Sequence, residues 1–211
     1  MICSLRQYSV LPDKLCDLLI ELFDNDTQHH ERIDNKGLPN FTQLNLNQYH
    51  SNIIPSLCDY FTDALELYAK DVPTAKFLPQ SKCLEEFRIK KYMTGGKDRF
   101  DEHVDITDRA SAKRCLSMIF YLNDVKHKGY TEFIDGTKIK PTAGKLLLFP
   151  ANTLFEHRGV SPVNEIKYLI TGWLHTPFDG DPRIQGSWKE KTNTEVTKEH
   201  PMNSIPENRF G

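Results

Sequence analysis

Apolar residues in the first third of the chain recur at helical intervals. After Pro12, which suits a first helical turn, Leu15, Leu18, Leu19 and Leu22 share one face and predict a helix through Phe23. In IIPSLCDYFTDALELYAK, residues Leu57, Tyr60, Phe61, Ala64, Leu65 and Tyr68 predict a second helix, with Pro55 near its start and Pro73 closing it. Residues 2–10 and FTQLNL read as short strands, and the polar stretch 24–40 reads as a loop, so residues 1–75 are expected to be mostly helical. From residue 82 the period changes. CLEEFRIKKYM, RCLSMIFYLND, YTEFID, KIKPTAG, KLLLFP, EHRGVSP and KYLITGWLH are short β-prone runs separated by turn signals. They predict an antiparallel barrel or jelly roll over 82–175, braced by the N-terminal helices. The expected organisation is one domain over 1–177 and a polar, loosely packed tail over 178–211.

Composition narrows the class. The chain has 211 residues, 38% of them hydrophobic, enough for one sizeable core. Its 27 basic and 29 acidic residues leave a net charge of -2, with no electrostatic footprint for nucleic acid or an anionic membrane. Cys3, Cys16, Cys58, Cys83 and Cys115 are scattered, without a CxxC pair, which points to a reducing compartment. The N-terminus lacks the pattern of a signal peptide, and no apolar run is long enough to span a bilayer. The expectation is a soluble protein, cytoplasmic or otherwise intracellular.

The candidate chemistry lies in FDEHVDITD. In an extended strand, His103 and Asp105 project to the same side and can converge on one ion. The alternative is a solvated polar pair at a strand edge. His157, in LFEHRGV, supplies a third candidate ligand from another strand. Two histidines and one carboxylate with open positions are the donor set of non-haem Fe(II) oxygenases, whereas zinc favours a third histidine or cysteine. The His29-His30-Glu31 cluster lies in a polar stretch and reads as solvated surface.

A second argument comes from IKYLITGWLH. Alternation sets Ile166, Tyr168, Ile170 and Leu174 on one side, and Lys167, Leu169, Thr171 and Trp173 on the other. If the second side faces the interior, the Lys167 ammonium needs a fixed carboxylate or a bound anion. The other reading is a lysine snorkelling to the surface. Tyr92 and Tyr121 end neighbouring strands and offer phenol donors or plain core packing. On CLEEFRIKKYM, the side carrying Glu86, Arg88, Lys90 and Tyr92 either lines a cleft or forms a solvated edge.

In this order, Tyr92-x-x-Gly95, Phe100-x-x-His103-x-Asp105, Arg114, Tyr121-Leu122-Asn123, Gly129-x-Thr131-x-Phe133, Pro141-x-x-Gly144, Phe149, His157, Pro162-Val163, Lys167 and Trp173 resemble the prolyl 4-hydroxylase type of Fe(II)/2-oxoglutarate dioxygenase. The resemblance covers about residues 82 to 175. It implies a double-stranded β-helix, a jelly-roll (cupin-like) barrel, with Fe(II) held by His103, Asp105 and His157. It also implies 2-oxoglutarate held by Lys167 with Thr171, Tyr92 and Tyr121, O2 as oxidant and ascorbate as an accessory reductant. Arg114 matches a position near the substrate entrance, and Trp173 one beside the iron. Arg88 and Tyr130 complete the candidate substrate residues. Tyr130 stands where the family carries a second glycine, which weakens transfer of substrate identity. The expected substrate is a prolyl residue in a peptide or protein. The alternatives are a free amino acid or small metabolite, and a non-catalytic ligand-binding jelly roll. A nucleic-acid demethylase of this class carries an arginine six residues after the anion-binding residue; Trp173 stands there.

Overall fold

The two periodicities sort the chain into a helical layer and two sheets. The structure, a computed structural model, describes residues 4–35, 39–79 and 83–176. Its helices are α1 (Asp13–Asn25), α2 (Leu46–Tyr49) and α3 (Ile54–Asp71). Its strands are β1 (Arg6–Ser9), β2 (Glu31–Asp34), β3 (Asn40–Asn45), β4 (Arg88–Tyr92), β5 (Phe100–His103), β6 (Arg114–Tyr121), β7 (Thr131–Phe133), β8 (Lys138–Ile139), β9 (Lys145–Pro150), β10 (His157–Gly159) and β11 (Lys167–His175). A seven-stranded sheet runs β1-β9-β6-β11-β4-β3-β2, and a four-stranded sheet runs β5-β10-β7-β8. The pairings are antiparallel, and the architecture is a double-stranded β-helix braced by helices.

Strand alternation builds two cores. The outer face of the large sheet presents Ile89, Leu116, Met118, Phe120, Leu146, Leu148, Ile170 and Leu174 to the helices, where Cys16, Leu19 and Phe23 of α1 and Leu57, Phe61 and Ala64 of α3 meet them. Burying each such large apolar side chain contributes about 1.5–3 kcal/mol, which holds the helices in place. The inner face presents Tyr92, Ile119, Tyr121, Leu147, Phe149 and Leu169, which cluster with Phe133 of the small sheet. One-residue offsets along β4, β6 and β11 thus separate packing against helices from lining the barrel.

The helices begin and end close to their predicted limits: α1 starts immediately after Pro12, and α3 has proline in its first turn. Residues 1–75 are less helical than expected. Besides β1 and β3, which fall where short strands were expected, the predicted loop over 24–40 contains β2 at the edge of the large sheet. An edge strand with one inward apolar residue, Ile33, leaves little alternation to read. The pair His29-His30 is not solvated surface. His29 stacks on Tyr49 and bonds Asp26, while His30 stacks on Phe23 and bonds its carbonyl. These are packing roles. The expected tail over 178–211 lies outside the described residues.

Candidate active site

The two histidines face each other because of strand register. His157 on β10 is the direct cross-strand partner of His103 on β5, and their ring centres are 4.3 Å apart. Asp105 differs from expectation: β5 ends at His103, and Asp105 sits on a bend two residues on. The bend carries its carboxylate to the large sheet, where Ser117 of β6 donates to Oδ2. The other oxygen, Oδ1, lies 3.8 Å from His103 Nε2. One ligand atom from each of His103, Asp105 and His157 falls within 4.8 Å of the others.

Backbone carbonyls set both imidazole tautomers. His103 Nδ1 is 2.8 Å from the carbonyl of Asp101, and His157 Nδ1 is 2.9 Å from that of Phe155. A carbonyl only accepts, so each Nδ1 carries the proton and each Nε2 keeps its lone pair for a metal. Phe100 stacks on His103 at 3.6 Å, and Phe149 meets His157 edge-on at 4.9 Å. Burial, and then the neighbouring His157, push His103 down to about 4, so it is a neutral donor at physiological pH. The donor set and its orientation fit a divalent transition metal with free coordination positions.

A cavity opens beside these side chains. Its large-sheet wall includes Lys90, Tyr92, Ser117, Lys167, Thr171 and Trp173. Lys167 is 1% exposed. Its ammonium donates to the carbonyls of Gly129 and Val160, at 3.1 and 3.3 Å, and lies 4.3 Å from the centre of the Tyr92 ring. Among the described residues no carboxylate is in ion-pair reach, and burial pushes Lys167 down to about 7. Thr171 Oγ1, on the same face, is buried without a hydrogen-bond partner. A buried ammonium and an orphaned hydroxyl in a cavity shared with three candidate metal ligands fit a bound anion that would also reach a metal held there.

Gly129 makes that arrangement possible. It adopts φ +71°, and a Cβ there would come within 2.7 Å of Val125 Cγ1. The left-handed backbone and close approach together require glycine where the chain turns its carbonyl to Lys167.

The other predicted residues are spread more widely. Burial raises the Tyr92 phenol beyond its usual range, keeping it a neutral donor. Tyr121 does not line the cavity; its hydroxyl is 2.8 Å from Thr131 Oγ1, and Thr131 does line it. Trp173 lines the cavity, with Nε1 buried and lacking an acceptor. Arg114 stacks on Trp173 at 3.8 Å, forms a two-pronged pair with Glu85 and donates to the Asp105 carbonyl. Burial alone would raise Glu85, but hydrogen bonds from His175 and Arg114 outweigh it and hold Glu85 at about 2. Arg88 pairs with Glu86 outside the cavity. Tyr130 lies in an adjoining groove, with Lys128, Arg158 and Pro162.

Residues 87–175 match the model of the 2OG-Fe(II) oxygenase superfamily. This span carries the histidines, the aspartate and the lysine just described, and it is similar to a 2OG-Fe(II) oxygenase domain. Its fold is that of the prolyl hydroxylases. The collagen prolyl hydroxylase of Paramecium bursaria Chlorella virus-1, solved with 2-oxoglutarate, superposes with a TM-score of 0.63 at 19% identity, covering 84% of this chain and 100% of that one. A Pseudomonas putida prolyl-4-hydroxylase gives a TM-score of 0.58 at 20% identity, over 83% and 94% of the two chains. A Trichoplax adhaerens prolyl hydroxylase, in complex with a hypoxia inducible factor peptide fragment, gives 0.60 at 14% identity, over 82% and 84%. No curated protein matches the sequence. No helix among the described residues is long and apolar enough to cross a membrane.

Proposed function

We propose that this chain hydroxylates a prolyl residue in a peptide or protein. The observation that carries the reading is the placement of buried Lys167 in one cavity with His103, Asp105 and His157. In this reading His103 and His157 bind Fe(II) through Nε2, and Asp105 binds through Oδ1 while Ser117 holds Oδ2. Lys167 receives the far carboxylate of 2-oxoglutarate, with Thr171 and Tyr92 adding hydroxyl donors. Tyr121 acts from behind, fixing the hydroxyl of Thr131. When bound, Fe(II) with 2-oxoglutarate and O2 supplies the oxidising power for C–H hydroxylation, coupled to loss of CO2 and formation of succinate; ascorbate serves as the accessory reductant. Trp173 and Arg114 border the substrate side and exclude water there, Arg114 being held by Glu85. Tyr130 in the adjoining groove and Arg88 outside the cavity stand further out as contacts for the rest of a peptide.

The prolyl part rests on the neighbours, each described as a prolyl hydroxylase, one of them holding a peptide fragment. The reading places the protein inside cells, as one domain over 1–177 followed by the tail 178–211, with neither nucleic acid nor membrane as partner. The test is formation of succinate from 2-oxoglutarate, with mass-spectrometric detection of one added oxygen atom, across a panel of proline-containing peptides, free amino acids and other small metabolites. Peptide-dependent turnover is expected. Turnover with free amino acids or small metabolites alone overturns the peptide reading, and Fe(II) and 2-oxoglutarate binding without any product leaves a ligand-binding module.

A further inference from the structure

The cavity wall contains a second buried lysine that neither the metal nor the keto acid uses. Lys90, on β4, is 7% exposed. Its ammonium lies 4.6 Å from the centre of the Phe41 ring and 5.9 Å from those of Phe100 and Trp173. Among the described residues, no hydrogen bond or ion pair reaches it. The cations around it are already matched: Arg114 is paired with Glu85, and Arg88 with Glu86. Burial pushes Lys90 down to about 8, and the charge that offsets this most is that of Asp105. Asp105 is shared with Ser117 and, in the reading above, with the metal. Once a divalent ion sits on that carboxylate, Lys90 loses that support, and an incoming anion is what would keep its ammonium charged in so dry a site.

Lys90 and Lys167 serve different parts of the cavity. Lys167 is anchored by the carbonyls of Gly129 and Val160 and shows no charge coupling to Asp105. Lys90 sits opposite Leu169 in the sheet, beside Trp173, and feels Asp105, Arg88, Arg114 and Glu85. This is the side that Arg114 and Trp173 border. Trp173 Nε1, also buried without an acceptor, adds a second unmatched donor to the same wall.

We propose that Lys90 is a substrate-specificity residue that receives a carboxylate carried close to the C–H bond to be hydroxylated. The proposal rests on the prolyl reading and narrows it. The carboxylate comes either from an acidic side chain next to the proline in a peptide or from the α-carboxylate of a free amino acid. Aromatic faces can hold an ammonium, but they do not neutralise it, and a carboxylate does both.

The test compares Lys90→Met with the wild type on matched pairs: peptides with Asp or Asn, and Glu or Gln, beside the proline, and free proline against its amide. The readout is the ratio of kcat/KM for the carboxylate to that for the carboxamide, which a general loss of stability leaves unchanged. The wild type is expected to favour one carboxylate class by about tenfold or more, as for a hydrogen bond between charged groups, and Lys90→Met to bring that ratio near unity. A preference among peptides identifies the side chain as the source; a preference for free proline identifies the α-carboxylate. A ratio near unity in the wild type, or a preference that survives in Lys90→Met, overturns the proposal. If no proline compound is turned over, the prolyl reading fails and a binding measurement decides the fate of Lys90. In full-length protein with 13C-labelled lysine, loaded with Zn(II) and 2-oxoglutarate, the resonance absent from Lys90→Met should shift with acetate and not with acetamide. No shift with acetate overturns the assignment.

Discussion

Ser117 donates its hydroxyl to Oδ2 of Asp105, so the carboxylate presents one oxygen, Oδ1, toward His103. The bond joins a residue of the large sheet to the bend that follows the small-sheet strand β5. Ser117→Ala is expected to weaken Fe(II) affinity by about 10–100-fold, the usual effect of removing a partner behind a metal ligand. Anaerobic metal titration measures this, and unchanged affinity would show that Asp105 needs no such support.

Asp105→Ala removes the only anionic ligand of the set. It should abolish both succinate formation and the weak absorption band that Fe(II) with 2-oxoglutarate gives in the absence of air. A band of normal intensity in this variant would remove Asp105 from the coordination shell.

Lys167→Met should separate stability from function. The ammonium is buried against two carbonyls and a ring, so an apolar replacement of similar length is expected to raise the stability of the ligand-free protein by about 1–4 kcal/mol. The same change should raise the 2-oxoglutarate requirement by at least about tenfold. Lys167→Arg is not expected to restore it, because the planar guanidinium needs a differently shaped pocket. Denaturant unfolding and co-substrate titration read the two effects separately.

The affinity for 2-oxoglutarate should depend on pH in a fixed direction. Burial lowers Lys167 to about 7 in the free protein, and a bound carboxylate favours its charged form. Binding above that value therefore takes up a proton. Affinity is full below about pH 7 and falls up to about tenfold per pH unit above it, until the pKa of the complex is reached. Calorimetry at about pH 6.5 and 8.5 in buffers of different ionisation enthalpy checks both the trend and the proton; a flat profile would count against Lys167 as the carboxylate's partner.

Gly129→Ala should destabilise the protein by roughly 1–3 kcal/mol, since it combines positive φ with a contact on Val125. It should also weaken 2-oxoglutarate binding, because the Gly129 carbonyl is one of the two that hold Lys167. Thermal melts with and without co-substrate distinguish the two effects.

The sequence carried the jelly roll, the two long helices to within a few residues of their ends, and the inward face of β11, because each rests on a period that repeats several times. Lys167, Leu169, Thr171 and Trp173 do share the cavity wall. Strands β2 and β3 were harder to place: β2 is polar at the sheet edge, and nothing in its pattern says that it joins β4 through β3. The bend at Asp105 was hidden because extended chain and a strand end read alike. The groups that orient the histidines are main-chain carbonyls, which leave no trace in residue identity. Glu85 and His175, ninety positions apart, meet only because β11 returns beside the start of β4. Lys90 was visible as one of four polar positions on a face. Only the packing of Phe41, Phe100 and Trp173 around it sets it apart from Arg88, which has Glu86.

Both imidazoles ride on the small sheet, and the carboxylate between them is fastened to the large one. An ion seated among the three is therefore also a rivet through two leaves, added to the Tyr121–Thr131 hydrogen bond and the apolar contacts that join them. Iron starvation would then do more than silence the chemistry: it would leave the jelly roll unpinned at its mouth, and slower hydrogen exchange of β5 and β10 on metal loading would be its signature.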